Sequence, residues 1–226
     1  MGDGMRERPI LMTPENAQKC HEGTKTQTRR MNNLEIVNVN PSQWQFAGWL
    51  SGEYRAPFHR NGVTVHIKCP YGVAGDRLWV RENGWERPAR TPKMLRDGAD
   101  TWERFYFDAL MDAGEAEELK GYGFKRRPSI HMPRWACRTV LEITDVRVER
   151  LQDIGEEDAK AEGVTRISHG REYYFSAMRD EPDHRNWVDP TDAYRELWES
   201  INGAGSWAQN PWVWVISFRK VGACGR

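Results

Sequence analysis

An α+β fold, a small mixed β-barrel with two or three peripheral helices and two insertions, is what the sequence predicts. Three observations predict it. Segments of strand character outnumber helical ones, and the helices are short and interrupt the strands instead of alternating with them, which excludes a doubly wound sheet. The third is size: 226 residues, 38% of them hydrophobic and 11 of them tryptophan, suit one domain over 1–226 with its own core.

The elements follow in chain order. After the apolar run Pro9-Ile10-Leu11-Met12, Thr13 and Pro14 form a paired helix start, and Gly23 is the expected left-handed stop after Glu22. Between Leu34 and Lys68 the pattern is β: Ile36, Val37 and Val39, then Trp44 to Leu50, then Val63 to Ile67. Gly75-Asp76 turns the chain into Arg77-Leu78-Trp79-Val80-Arg81, an alternating, half-buried strand. Residues 83–125, punctuated by Pro and Gly, read as an insertion or flexible excursion. Cys137 to Arg150 is a long, bulged strand, followed by a helix that starts at Asp153 or Gly155 and ends at Gly163. A second polar excursion covers 165–190. Asp192 to Asn202 is helical, with Tyr194, Leu197, Trp198 and Ile201 on one stripe, and Pro211 to Phe218 is a buried strand.

Charge and cysteine content narrow the function classes. The 33 Lys+Arg balance 33 Asp+Glu, which excludes a polybasic protein that holds nucleic acid by bulk charge and leaves room for a local basic site. Met1 to Arg8 is polar, and no apolar run reaches about 18 residues, so a cytoplasmic protein with no membrane partner is expected. Cys20, Cys69, Cys137 and Cys224 form no C-x-x-C pair and read as reduced thiols. His66 and Cys69 lack a second ligand pair, so no metal and no cofactor is expected.

The densest chemistry lies in Gly23-Thr24-Lys25-Thr26-Gln27-Thr28-Arg29-Arg30, with an amine, three hydroxyls and two guanidiniums in eight positions. Its structural alternative is a solvated turn. Positions an odd number apart face opposite sides of an extended chain, so Lys25 and Thr28 converge only where the backbone bends after Gly23.

This segment resembles the G-x-K-x-x-[ET]-x-R signature of ASCH domains, a branch of the PUA-like fold. It is most similar to small bacterial amidohydrolases that remove the acyl group from N4-acylcytidine. Ala74 to Val80 is similar to the family's G-D-x-L-x-V strand, Cys137 to Gly163 to its strand and Glu-ending helix, and Tyr194 to Ile201 with Trp212 to Phe218 to its closing helix and strand. The two insertions fall outside the resemblance, and many longer relatives of this shape come from phage or prophage genomes.

The resemblance implies a catalytic triad of Lys25, Thr28 and Glu162. Such a site is chemically coherent, because amide hydrolysis needs a nucleophile, a base, an acid for the leaving nitrogen and donors for the oxyanion. Lys25 activates the Thr28 hydroxyl once burial or nearby guanidiniums favour its neutral amine. Glu162 either passes a proton to the departing N4 or orients the base by accepting from it. Arg29 and Arg30 supply the repulsion on Lys25, or one of them pairs with Glu162. Together with Glu82, Trp135 and Arg138 they complete the expected substrate-binding set.

Lys125 to Arg138 carries five Lys/Arg residues, no acidic ones and Trp135, which suits phosphate and base contacts; the alternative is pairing with the acidic stretch Glu115 to Glu118. Most of the other tryptophans, Trp44, Trp49, Trp79, Trp198, Trp212 and Trp214, sit at apolar positions and read as core. The leading expectation is therefore a metal-independent amidohydrolase acting on a small modified nucleoside. The alternatives are a PUA-like module that binds RNA or a modified nucleotide without chemistry, and a ribonuclease.

Overall fold

The computed structural model describes residues 5–49, 55–98, 101–169, 172–176 and 187–222. Strand β1 (Glu7–Leu11) leads into helix α1 (Pro14–Glu22). Thr13 accepts from the Asn16 amide, Pro14 occupies a first-turn position that needs no donor, and Gly23 stops the helix at φ 82°. The chain then reverses into β2 (Gln27–Arg30).

The next segment departs from expectation. Ile36, Val37 and Val39 belong to or flank a one-turn helix, α2 (Glu35–Asn38), not a strand. Burial explains why: Leu34 and Val37, three apart, are fully buried, whereas Ile36 and Val39 are exposed, a helical spacing that β-branched composition disguised. The expected strand from Trp44 to Leu50 shrinks to β3 (Gln45–Phe46), and Leu50 lies outside the described residues. It joins β4 (Arg55–Arg60) and β5 (Val63–Lys68) in an antiparallel sheet of order β3-β4-β5. Asn61 and Gly62, both at positive φ, form the two-residue turn between the last two. Pro57 and the charged ends of β4 conceal that strand in the sequence.

Strand β6 (Arg77–Arg81) alternates as expected, with Leu78 and Val80 buried. The insertion that follows is ordered: β7 (Gly84–Glu86), α3 (Pro92–Arg96), β8 (Phe105–Phe107), α4 (Ala113–Gly121) and β9 (Lys125–Arg127). Its strands pair in the order β8-β7-β9, and Met94, Leu119 and Phe124 form a small core ringed by Trp85, Trp102, Tyr106 and Tyr122. Aromatic side chains supply the apolar area that the Pro- and Gly-rich text hides. Gly84 is required there, because a Cβ would stand 2.2 Å from the Phe105 ring and 2.3 Å from the Tyr106 carbonyl oxygen.

The rest comprises β10 (Val140–Arg150), α5 (Glu156–Ala161), the hairpin β11 (Thr165–His169) and β12 (Glu172–Ser176), α6 (Pro190–Asn202) and β13 (Trp212–Gly222). Two register shifts against β13 supply the bulge expected in β10. The five-stranded sheet has the order β1-β6-β10-β13-β2, with β1 and β6 parallel and the other pairs antiparallel. Strand β13 is buried on both faces. Trp214, Ile216 and Phe218 join Ile10, Leu78 and Leu141 on one side, and Val213 and Val215 meet Tyr194, Leu197 and Trp198 of α6 on the other.

The α+β class stands, but among the described residues the ladders leave β1 and β2 as edges, so hydrogen bonding closes no barrel. A side chain spans those edges instead: Arg30 Nη2 donates to the Leu11 carbonyl at 3.1 Å. Cys20 and Cys69 are free and buried, while Cys137 is disulfide-bonded, which corrects the expectation of four reduced thiols. Among the described residues no helix is long and apolar enough to cross a membrane.

Candidate functional site

The turn after Gly23 is tied at both ends. The Thr24 and Lys25 amides donate to the Lys19 carbonyl, and the Thr26 amide donates to that of Ala161, which holds the last turns of α1 and α5 together. This bend drops the Lys25 side chain inward, to 2% exposure, and turns it toward Glu162, which caps α5 and is equally buried. Lys25 Nζ donates to the Glu162 Oε2 and to the Glu162 main-chain oxygen, both at 2.6 Å.

Arg29 holds the other carboxylate oxygen. Its Nη1 donates to Glu162 Oε1 at 3.1 Å and to Gln27 Oε1 at 2.7 Å; its Nε reaches Glu149 at 3.0 Å and its Nη2 reaches Asp158 at 3.0 Å. Burial works against this guanidinium's charge, yet the surrounding anions, Glu162 first among them, hold its pKa above the usual value. Tyr194 stands above it, with Arg29 Cζ 5.7 Å from the ring and the phenol oxygen 3.5 Å from Glu162 Oε1. Complete burial, reinforced by the Glu162 charge, pushes the Tyr194 phenol well up. Lys19 donates to the Gly163 carbonyl at 2.7 Å, and burial, with repulsion from Lys25, lowers its pKa to about 8.

Thr28 lies on β2 opposite Ile216 of β13 and has no exposed surface. Its Oγ1 accepts from Arg30 Nη1 at 2.6 Å. Among the described residues no hydrogen bond joins Lys25 to Thr28; the lysine faces the glutamate and the hydroxyl faces the arginine.

All five of these residues, Lys25, Thr28, Arg29, Arg30 and Glu162, line one cleft of about 700 Å³. Its lips are the ends of the two sheet edges, with Leu11 ending β1 and Met12 following it, and Met31 and Asn32 after β2. One wall is the stripe Tyr194, Leu197, Trp198 and Ile201 of α6, of which the first three serve as core packing and as cleft lining together. Polar groups face it: Asn16, Asn32, Asn83 and Ser129. Asn83 accepts from the Ser129 amide and the Asn32 oxygen accepts from Tyr71, which, among the described residues, leaves the Asn32 amino group and the Asn16 side-chain amide for a ligand.

The rest of the expected binding set lies elsewhere. Glu82 and Arg138 form a bidentate pair at 2.8 and 2.7 Å, neither lines the cleft, and the Arg138 guanidinium stacks 4.4 Å from the Phe107 ring. Burial of Glu82 to 1% exposure demands such a partner. Trp135 packs against Phe105 and under Arg104, outside the cleft lining. The basic segment does not pair with Glu115 to Glu118 either. Arg126 takes Asp108, Arg127 takes Glu86 and Arg134 takes Glu7. Sequence reasoning missed the site roles of Tyr194 and Lys19. Tyr194 was visible only as one position of an amphipathic stripe, and Lys19 as an ordinary helix lysine. Among the described residues no group of three His, Cys, Asp or Glu is placed to hold a metal ion.

Comparison with known proteins adds little. No family model matches the chain, and no curated protein matches it. A solved structure similar to it is a crystal structure of protein EF3133 from Enterococcus faecalis V583, described by the family model DUF984. The two share 9% identity over 100% of this chain and 86% of that one, with a TM-score of 0.38. At that score the likeness carries no inference about fold or activity.

Proposed function

We propose that the cleft is the active site of a metal-independent amidohydrolase that removes the acyl group from N4-acylcytidine-type nucleosides. One observation carries the reading: Lys25 in the turn after α1, Thr28 on β2 and Glu162 at the end of α5 line one cleft whose volume of about 700 Å³ suits a nucleoside. The ordered motifs that resemble ASCH domains support the same reading, and a PUA-like arrangement of the sheet belongs with it.

The chemistry begins at the short Lys25–Glu162 pair. Transfer of one proton from the ammonium to the carboxylate across 2.6 Å leaves a neutral amine and a carboxylic acid. When a ligand draws the Arg30 guanidinium away from Thr28, the amine takes the hydroxyl proton as Oγ1 attacks the acyl carbon. Arg30, released from Thr28 Oγ1 and still beside the attacking oxygen, donates to the acyl carbonyl oxygen as it becomes the oxyanion. Collapse breaks the bond from the acyl carbon to N4, and Glu162 gives its proton to the departing cytosine nitrogen. The pair is then charged again and cytidine is complete. Water cleaves the acyl-threonine ester, releases the carboxylic acid and returns the proton to Thr28.

A second reading, a cleft that binds a modified nucleotide without chemistry, is favoured by one observation: the buried Thr28 hydroxyl touches Arg30 and not Lys25. Purified protein incubated with N4-acylcytidines of increasing chain length decides between them. The ultraviolet change that marks cytidine release is expected with at least one chain. Absence of turnover with every chain overturns the hydrolase reading.

A further inference from the structure

We propose that the mouth of the cleft, between the first turn of α1 and the end of β2, is a subsite for a carboxylate group carried on a short apolar tail. This deepens the hydrolase reading and rests on it only for the source of the ligand, the acid released from an acyl group. Binding itself is measured without turnover.

Asn16 is the residue that calls for a ligand. It is 7% exposed, its side-chain amide has no hydrogen-bond partner among the described residues, and neither amide atom is sealed from solvent. What remains open of it faces the cleft, which it lines. An amide so nearly buried costs free energy until something supplies its partner.

Its surroundings are donors. Asn16 is the third residue of the nine-residue helix α1, and Thr13 and Pro14, which begin that helix, line the cleft with it. The Thr13 hydroxyl accepts from the Asn16 main-chain amide and keeps its own proton to donate. The positive pole of the helix adds to both, while the Glu15 carboxylate of the same turn is exposed and outside the lining. Met12, just before the turn, is tied to Arg30. That guanidinium gives Nη2 to the Met12 sulfur at 3.3 Å and to the Leu11 carbonyl at 3.1 Å, and Nη1 to Thr28 Oγ1 at 2.6 Å and to the Arg29 carbonyl at 2.9 Å. All four acceptors are neutral and the sulfur is a weak one, so a ligand carboxylate outcompetes them.

Charge sets the ligand class. On the lining, Lys25 and Arg29 are engaged by Glu162, which leaves Arg30 as the cation without a carboxylate partner among the described residues. Glu35, exposed and accepting from the Asn33 amide at 3.1 Å, stands on the same lining as an anion. One guanidinium with a carboxylate in the same cleft suits a planar monoanion and disfavours a phosphate dianion. Met31, Leu197 and Ile201 of the lining offer apolar surface for the tail, Ile201 being 53% exposed.

Calorimetric titration of the full chain with sodium acetate, butyrate and hexanoate tests the subsite, with hexanamide as the uncharged match and inorganic phosphate as the dianion. Hexanoate is expected to bind with a dissociation constant of about 1 mM, and each methylene removed to weaken binding by up to about fourfold. Hexanamide and phosphate are expected to bind at least about tenfold more weakly. Asn16→Ala is expected to weaken hexanoate about tenfold with an unchanged thermal midpoint, the range for one hydrogen bond to a charged group, and Asn16→Asp, which keeps the size and adds a like charge, to abolish binding. Equal hexanoate binding by the wild type and both variants, hexanamide that matches hexanoate, phosphate that binds more tightly, or no binding of hexanoate at about 50 mM overturns the subsite, whether or not N4-acylcytidine is hydrolysed. Hydrolysis of no N4-acylcytidine while hexanoate still binds overturns the hydrolase reading alone.

Discussion

Arg29 shows what a single side chain does in this molecule. Its side chain is wholly buried and divides its five donors among Glu149, Asp158, Glu162 and Gln27, so it neutralises anions that would otherwise be stranded away from water. Truncation leaves Glu162 and its neighbours without that partner. Arg29→Ala is therefore expected to cost about 3–5 kcal/mol of stability, the range for breaking a buried pair from one side. Urea unfolding measures it, and a loss below about 1 kcal/mol contradicts the assignment. Gly163 matters for a different reason. It adopts φ 97°, and a Cβ there would stand 3.0 Å from Lys19 Cδ and 3.5 Å from Lys25 Cβ, so a side chain at this position would strain the backbone that aims Glu162.

At the level of elements, Asp76 joins strands that the sequence leaves far apart. Its carboxylate accepts from the Arg6 amide at 2.9 Å and from Arg8 Nη1 at 2.8 Å, and so ties the residues around the start of β1 to the turn before β6. Burial alone would raise its pKa, but the Arg6 and Val73 amides and the Arg8 guanidinium hold it below the ordinary 3.8. Asp158 on α5 is held down in the same way: burial opposes, while Gln27, Arg147 and Arg29 outweigh it. A depressed folded-state pKa means that the unfolded chain takes up these protons first. The stability they contribute is thus present above about pH 3.8 and is lost as the pH falls further, through the folded-state values. Thermal midpoints recorded from pH 6 to 3 are expected to drop below pH 4 in the wild type and to drop less steeply in Asp76→Asn with Asp158→Asn. Parallel curves would remove the role given to these aspartates.

Elements also show what the sequence could reveal. Thr13, Pro14 and Gly23 announce α1, and the alternation of β6 and the apolar run of β13 are read directly, because each signal is local. Strand β4 and helix α2 are not, since Pro57 and the β-branched run at 36–39 argue for the wrong state until tertiary burial decides. The same division holds in the site. Lys25 and Thr28 stand in one short motif, whereas the pairing of Glu82 with Arg138, 56 positions apart, appears only once the chain folds. Tyr194 gained its place over Arg29 only when α6 packed against β13.

At the scale of the whole molecule, the cleft proposed as the active site opens where, among the described residues, the main sheet leaves its two edges unpaired. Edges β1 and β2 do not pair; they frame a cleft, and the Arg30 guanidinium bridges them above the Thr28 hydroxyl. The expectation of a closed barrel overlooked this gap, because strand periodicity reports which face is buried and not whether the last strand meets the first. Asn83, at the start of the ordered insertion, and Ser129, just after it, extend the lining of the cleft.

The rate of cytidine release from N4-acetylcytidine, compared for the wild type, Thr28→Ser, Thr28→Ala and Lys25→Ala, interrogates the proposed chemistry most directly. Turnover by the wild type is expected, with partial retention in the serine variant. Losses of at least about a hundredfold are expected in both alanine variants, on the scale of removing a nucleophile or its base. Alanine variants that hydrolyse at the wild-type rate would show that neither side chain performs the reaction.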